Sequence, residues 1–191
     1  MKKLLFLFLL TTQCIQAQDS IPKSPLLNKR NEIRVDVLAL ALARPNITLE
    51  RFFSKSFSAG VSGIYSNTKK VKDDFDEGNI NAYSKYEIIP FVRYNLSQGA
   101  RSFYFAEVFA NANGGDFREI VLLTDASNNH YYAIKKSNYT DLGIGAAVGY
   151  KYYIKDQIGI ELLVGFGTNL FNKDKSPDIL SRVGLGVSYR F

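Results

Sequence analysis

TDLGIGAAVGYKYYI, residues 140–154, splits into two unlike faces when read two residues at a time. One face carries Leu142, Ile144, Ala146, Val148, Tyr150, Tyr152 and Ile154. The other carries Asp141, Gly143, Gly145, Ala147, Gly149, Lys151 and Tyr153. A period of two marks a β-strand with different surroundings on its two sides.

The same period recurs in both directions along the chain. Ile158, Ile160, Leu162, Val164 and Phe166 alternate with Gly159, Glu161, Leu163, Gly165 and Gly167. Val183, Leu185, Val187, Tyr189 and Phe191 alternate with Arg182, Gly184, Gly186, Ser188 and Arg190. Toward the start, Ile33, Val35, Val37, Ala39 and Ala41 alternate with Glu32, Arg34, Asp36, Leu38 and Leu40. Weaker strands are expected over 46–53, 56–65, 86–96 and 102–111, the third with Pro90 inside it, where a ladder bond is lost or a bulge forms. The expected architecture is all-β: an eight-stranded antiparallel up-and-down barrel.

The connections differ by end. Residues 54–56, 97–101 and 155–157 are tight turns after even-numbered strands. Residues 66–85 and 112–138 are long, 169–178 is moderate, and only Arg44-Pro45 is short after an odd strand. Short turns at one end and long loops at the other are the asymmetry of an outer-membrane barrel, with the short turns periplasmic. An even strand count puts both termini on that side.

Alternation alone leaves open which face points inward, and a soluble lipocalin-like carrier would hold its apolar face inside. Three features favour a transmembrane barrel with a filled polar interior. Gly143, Gly145 and Gly149 with isolated charges suit the narrow lumen of eight strands. Phe53, Phe57, Tyr94, Tyr104, Tyr150, Tyr152, Tyr189 and Phe191 gather near the short turns, as an interfacial girdle requires. Finally, Leu185, Val187, Tyr189 and Phe191 resemble the C-terminal signal read by the barrel-assembly machinery.

On these residues, with Asn31–Leu38 and Pro45–Arg51 similar to an opening hairpin, the chain resembles the small eight-stranded outer-membrane barrels of OmpA/OmpX type. Within that group it is closest to uncharacterised Gram-negative barrel families. The resemblance implies a fold and a location, and brings no activity with it.

The N-terminus agrees. Lys2 and Lys3 precede the apolar run Leu4–Leu10, polar residues follow, and Ala17 offers a cleavage position. Residues 1–17 are expected to be a signal peptide, 18–31 a periplasmic leader, and 32–191 the barrel. Cys14, the only cysteine, is either lipidated or removed with the signal. The net charge of +6 is too mild to suggest nucleic acid. The expected partners are outer-membrane lipid, the assembly machinery during insertion, and an extracellular protein reached through loops 66–85 and 112–138.

For chemistry, the polar face offers Arg34, Asp36, Glu50, Arg93, Glu107, Glu161 and Arg182 as a buried polar network. Buried charges persist only when paired and hydrogen-bonded. His130, the sole histidine, lies near Asp125 and Ser127, but a solvated hairpin tip explains the trio better than a nucleophile relay. No catalytic residue, cofactor or metal is expected, and a barrel enzyme acting on lipid at the outer rim is the alternative. Residues 117–124 and 131–136 are strand-like, so a hairpin closing near Asn128-Asn129 is expected to project from the barrel.

Overall fold

A computed structural model describes residues 28–66, 68–97, 101–125 and 128–191. The expected signal peptide with Cys14, and most of the expected leader, lie outside the described residues.

The elements are β1 (Asn31–Asp36), α1 (Val37–Ala41), β2 (Asn46–Phe52), β3 (Phe57–Tyr65), α2 (Lys69–Glu77), β4 (Ala82–Asn95), β5 (Ser102–Thr124), β6 (His130–Ile154), β7 (Ile158–Asn169) and β8 (Ile179–Arg190). Each strand pairs antiparallel with the next, and β8 returns to β1, closing an eight-stranded up-and-down barrel. Among the described residues no helix is long and apolar enough to cross a membrane.

Period two becomes a strict inside and outside. β8 alternates exposed and buried at every residue. Apart from Arg51 near the end of β2, the charged residues of the barrel wall point inward, while Leu142, Ile144, Val148, Leu162 and Val183 stay exposed on the outer wall. A soluble carrier with an apolar lumen would need the reverse arrangement. Phe53, Phe57, Tyr94, Tyr104, Tyr152, Tyr189 and Phe191 are exposed around the end that carries the short turns.

The lumen also holds rings, of which the sequence reading placed only Tyr153 on the polar face. Phe52, Phe91, Phe103, Phe105, Phe109 and Tyr153 are buried together inside. Room for them comes from glycine on the neighbouring strand. Phe105 pairs with Gly149 and Phe109 with Gly145, and a Cβ on either glycine would stand 2.3 Å from the facing ring's Cζ.

Three boundaries differ most from expectation. β1 stops at Asp36 instead of running to Ala41. Beyond Asp36 both phases of the pattern are apolar, so alternation carries no information there. The Asp36 carboxylate accepts from Ala39 N at 3.0 Å and caps α1. Leu and Ala then favour helix. Ala43, at φ 59, and the bonds Arg44 N to Ala39 O and Ala43 N to Leu40 O finish it as a Schellman motif. The connection expected to be a short Arg44-Pro45 turn is therefore residues 37–45.

Second, the expected 66–85 loop contains α2, and β4 begins at Ala82. Gly78, at φ 91, ends α2, and Arg118 Nη1 donates to the Phe75 carbonyl at 2.8 Å. Third, β5 does not stop at Asn111: β5 and β6 remain paired up to Thr124 and His130, so the 112–138 connection is largely the strand-like hairpin expected there. β8 begins at Ile179, where the expected 169–178 connection ends. Pro90 pairs normally with Val61 of β3, but no β4–β5 pair forms at Ile89 or Pro90.

Candidate functional site

The lumen is built around Arg93 of β4. Its Nε donates to Glu107 at 2.6 Å, Nη1 to Glu50 at 2.9 Å, and Nη1 and Nη2 to the two oxygens of Glu161 at 2.8 and 3.0 Å. The guanidinium carbon lies 4.6 Å from the Phe91 ring centre and 4.2 Å from that of Phe105. This fork-to-carboxylate geometry suits Arg and is closed to Lys. Arg182 donates Nε to the other oxygen of Glu107 at 2.5 Å, and Arg34 bonds both Glu50 and Glu161.

Nearer the short turns, Lys151 Nζ lies 2.8 Å from Glu32, 2.9 Å from Glu50 and 3.0 Å from Glu161. These three glutamates are close enough to hold a metal ion. The ammonium stands where that ion would, so the charge is already met by a side chain. Tyr153 Oη donates to Glu32. Arg190 stacks on Phe52 and Tyr153, at 4.0 and 4.3 Å.

Six of the seven expected network residues therefore meet: Arg34, Glu50, Arg93, Glu107, Glu161 and Arg182. Asp36 does not join, because its carboxylate is turned to the α1 amide. Glu32, Lys151 and Tyr153 belong to the cluster and were missed as members. Lys151 and Tyr153 lie on the same face of the 140–154 strand as its glycines, and that shared face was the available signal.

The opposite end is closed by Asp141 of β6. Its oxygens accept from Phe171 N at 3.0 Å, Asn172 N at 2.8 Å and Ser176 Oγ at 2.7 Å. This fixes the β7–β8 connection over the lumen.

Beyond that rim, β4 leaves the sheet after pairing Ala82 with Phe117, and β7 joins β6 only from Gly143 downward. Between those limits β5 and β6 form a two-stranded ribbon. Cross-strand pairs Ile120–Ile134 and Leu122–Tyr132 make one face, and Val121–Ala133 and Leu123–Tyr131 the other. Tyr132 is 77% and Ile120 71% exposed. Below them, Glu119 and Lys135 lie 3.7 Å apart, and Lys136 bonds Asp76 of α2 at 2.5 Å. The Lys136 hydrogen bond and charge hold the Asp76 carboxyl below its ordinary range. α2 is anchored by Phe75, which is buried edge-on against Tyr83 with ring centres 5.2 Å apart.

At the ribbon tip His130 is exposed, and its Nδ1 is 2.9 Å from Thr124 Oγ1. Asp125 bonds Asn129 N at 2.9 Å, and Ser127 lies outside the described residues. The four outward residues Leu185, Val187, Tyr189 and Phe191 line one side of β8 and its end.

Among proteins of known structure, the N-terminal β-barrel domain of Pseudomonas aeruginosa OprF superposes with a TM-score of 0.51 at 12% identity, covering 85% of this chain and 98% of that one. Neisserial surface protein A superposes with a TM-score of 0.50 at 10% identity, covering 85% and 95%. These likenesses show a shared fold. No curated protein matches the chain. The model of a family described as "Protein of unknown function (DUF3575)" matches residues 4–180.

Proposed function

The chain belongs to the DUF3575 family, a membership that brings no activity, and we propose that it is an outer-membrane barrel acting as a surface-interaction protein through its β5–β6 ribbon. The outer wall carries the apolar side chains and the lumen carries the charges, which is the arrangement a bilayer demands. The start of β1, the end of β8 and the tight turns share one end, which is periplasmic in this reading, and the ribbon projects outside the cell.

The ribbon carries the proposal. An isolated two-stranded hairpin is marginal in water, and this one has apolar side chains on both faces and, among the described residues, no strand on either edge. Such a surface marks a contact site. A protein partner can add a strand to an edge and cover a face at the same time.

The test places a photo-crosslinking amino acid at Tyr132 or at Leu162 on living cells. The reading expects a discrete protein adduct from position 132 and none from 162, together with an unboiled barrel band that shifts on boiling. A soluble periplasmic protein, or a shifting barrel without any adduct from 132, overturns the location or the interaction respectively.

A further inference from the structure

The inward charges do not cancel. Near the upper rim, Glu87 bonds Arg44 and Asn111, Asp36 caps α1, and Asp141 holds the amides of the β7–β8 connection. Below these, four buried acids, Glu32, Glu50, Glu107 and Glu161, face five buried bases, Arg34, Arg93, Lys151, Arg182 and Arg190. Arg34, Arg93, Lys151 and Arg182 each form an ion pair with a glutamate. Arg190 forms none among the described residues, although it is only 1% exposed. Glu32, directly across from it on β1, gives its oxygens to Lys151 and Tyr153 instead.

The unmet atoms point one way. Arg190 Nε and Nη2 are both buried without a hydrogen-bond partner. Their N–H groups form one edge of the guanidinium, the parallel fork that takes an anion side-on. The rings of Phe52 and Tyr153 lie 4.0 and 4.3 Å from the guanidinium carbon, where they attract the cation through their faces and leave the fork unbonded. Ser188, two residues back on the same inward face of β8, has a buried hydroxyl that also lacks a partner. It leans over Gly159 beside Tyr153: a Cβ on Gly159 would stand 2.3 Å from Ser188 Oγ and 2.9 Å from the Tyr153 ring. Arg190 stacks on that same ring, so the fork and the free hydroxyl share one corner of the lumen.

A buried cation persists when its charge is met, and a buried donor when it finds an acceptor. We propose that this corner is an anion site. One small monovalent anion binds side-on to the Arg190 fork, takes the Ser188 hydroxyl as its third donor, and balances the charge of the lower lumen. A single excess positive charge fits a monovalent ion and not a phosphate dianion. Chloride and a small carboxylate such as formate share this chemistry. Arg190 N donates to the carbonyl of Gln157 in the tight turn after β6, so the site lies beside the mouth of the barrel, where an ion arrives from solution.

The experiment refolds the full chain, with isotope-labelled arginine, in zwitterionic micelles. The arginine Nε–H signals, assigned through bonds, are followed by NMR as sodium chloride or sodium formate is added from low salt. Arg93 and Arg182 already donate Nε to Glu107 and report the general effect of salt. The proposal expects a saturating shift of the Arg190 signal with at least one of the two salts and no matching shift at Arg93 or Arg182. Half-saturation by the lower concentration of chloride assigns a halide, and by formate a carboxylate. In Ser188→Ala the half-saturating concentration should rise several-fold, and an unmoved value would overturn the hydroxyl as a donor. An Arg190 signal that neither salt moves, as a buried water would leave it, or one that drifts in step with Arg93 and Arg182, overturns the site.

Discussion

Glu32 and Glu50 stand directly opposite one another on β1 and β2, two buried carboxylates in a pairing that repels when left alone. Lys151 Nζ, from across the lumen, bonds both. Replacing Lys151 with Met therefore strands like charges and should lower stability by about 3–5 kcal/mol. Urea unfolding of the micelle-embedded barrel measures it. Glu32→Gln added to Lys151→Met should recover part of the loss, and full additivity of the two changes would contradict the contact.

Arg93→Ala removes the guanidinium that Glu50, Glu107 and Glu161 share. The loss should again be about 3–5 kcal/mol, and Arg93→Lys should restore only part of it, since one ammonium cannot reproduce the fork. Thermal unfolding followed by the gel shift reads the effect. An Arg93→Ala barrel as heat-resistant as the parent would refute the network.

Asp141→Ala leaves the amides of Phe171 and Asn172 without their acceptor. Residues 170–178 should exchange amide hydrogens faster while the β-strands below keep their protection. Uniform acceleration throughout the barrel would show that the rim is not a separate clasp.

Phe75→Ala empties the contact with Tyr83 and should release α2 without changing barrel unfolding. Trypsin should then cut at Lys69, Lys70 or Lys72 several-fold faster. An unchanged cutting rate would mean that Arg118 and Lys136 hold the helix by themselves.

The Asp76–Lys136 contact has a pH signature. Its carboxyl pKa is depressed in the folded state, so its contribution is present at neutral pH and fades as pH falls through that depressed value. An NMR titration of Asp76 should find a midpoint below the ordinary aspartate range, moving back to that range in Lys136→Met. An ordinary midpoint in the parent would show that the pair is not held in solution.

The barrel was legible because a strand walled by lipid on one side and a narrow lumen on the other writes a period of two into its residues. The period failed at Val37–Ala41, where every residue is apolar and the Asp36 cap decides. It also hid the inward rings, since Phe103, Phe105 and Phe109 share a phase with Glu107. Their match to Gly145 and Gly149 becomes visible only once the β5–β6 register is known. Asp36 was placed in the network by its phase alone, and a local amide won it instead. Glu32, on the polar face of its strand but left out of the expected network, entered through Lys151 and Tyr153, more than a hundred positions away.

That remoteness governs how the barrel can assemble. Glu32 waits for β6, Arg34 waits for Glu161 on β7, and Glu107 waits for Arg182 on β8. Arg34 also finds Glu50, and Glu107 also finds Arg93, within their own hairpins, but Glu32 gains Lys151 only from β6 and the other bonds cross the lumen, so a partly inserted chain cannot shed all of its hydration one strand at a time. Some water must therefore remain in the forming lumen until β8 reaches β1, and the last of the neutralisation among side chains, Arg182 meeting Glu107, coincides with the sealing of the wall.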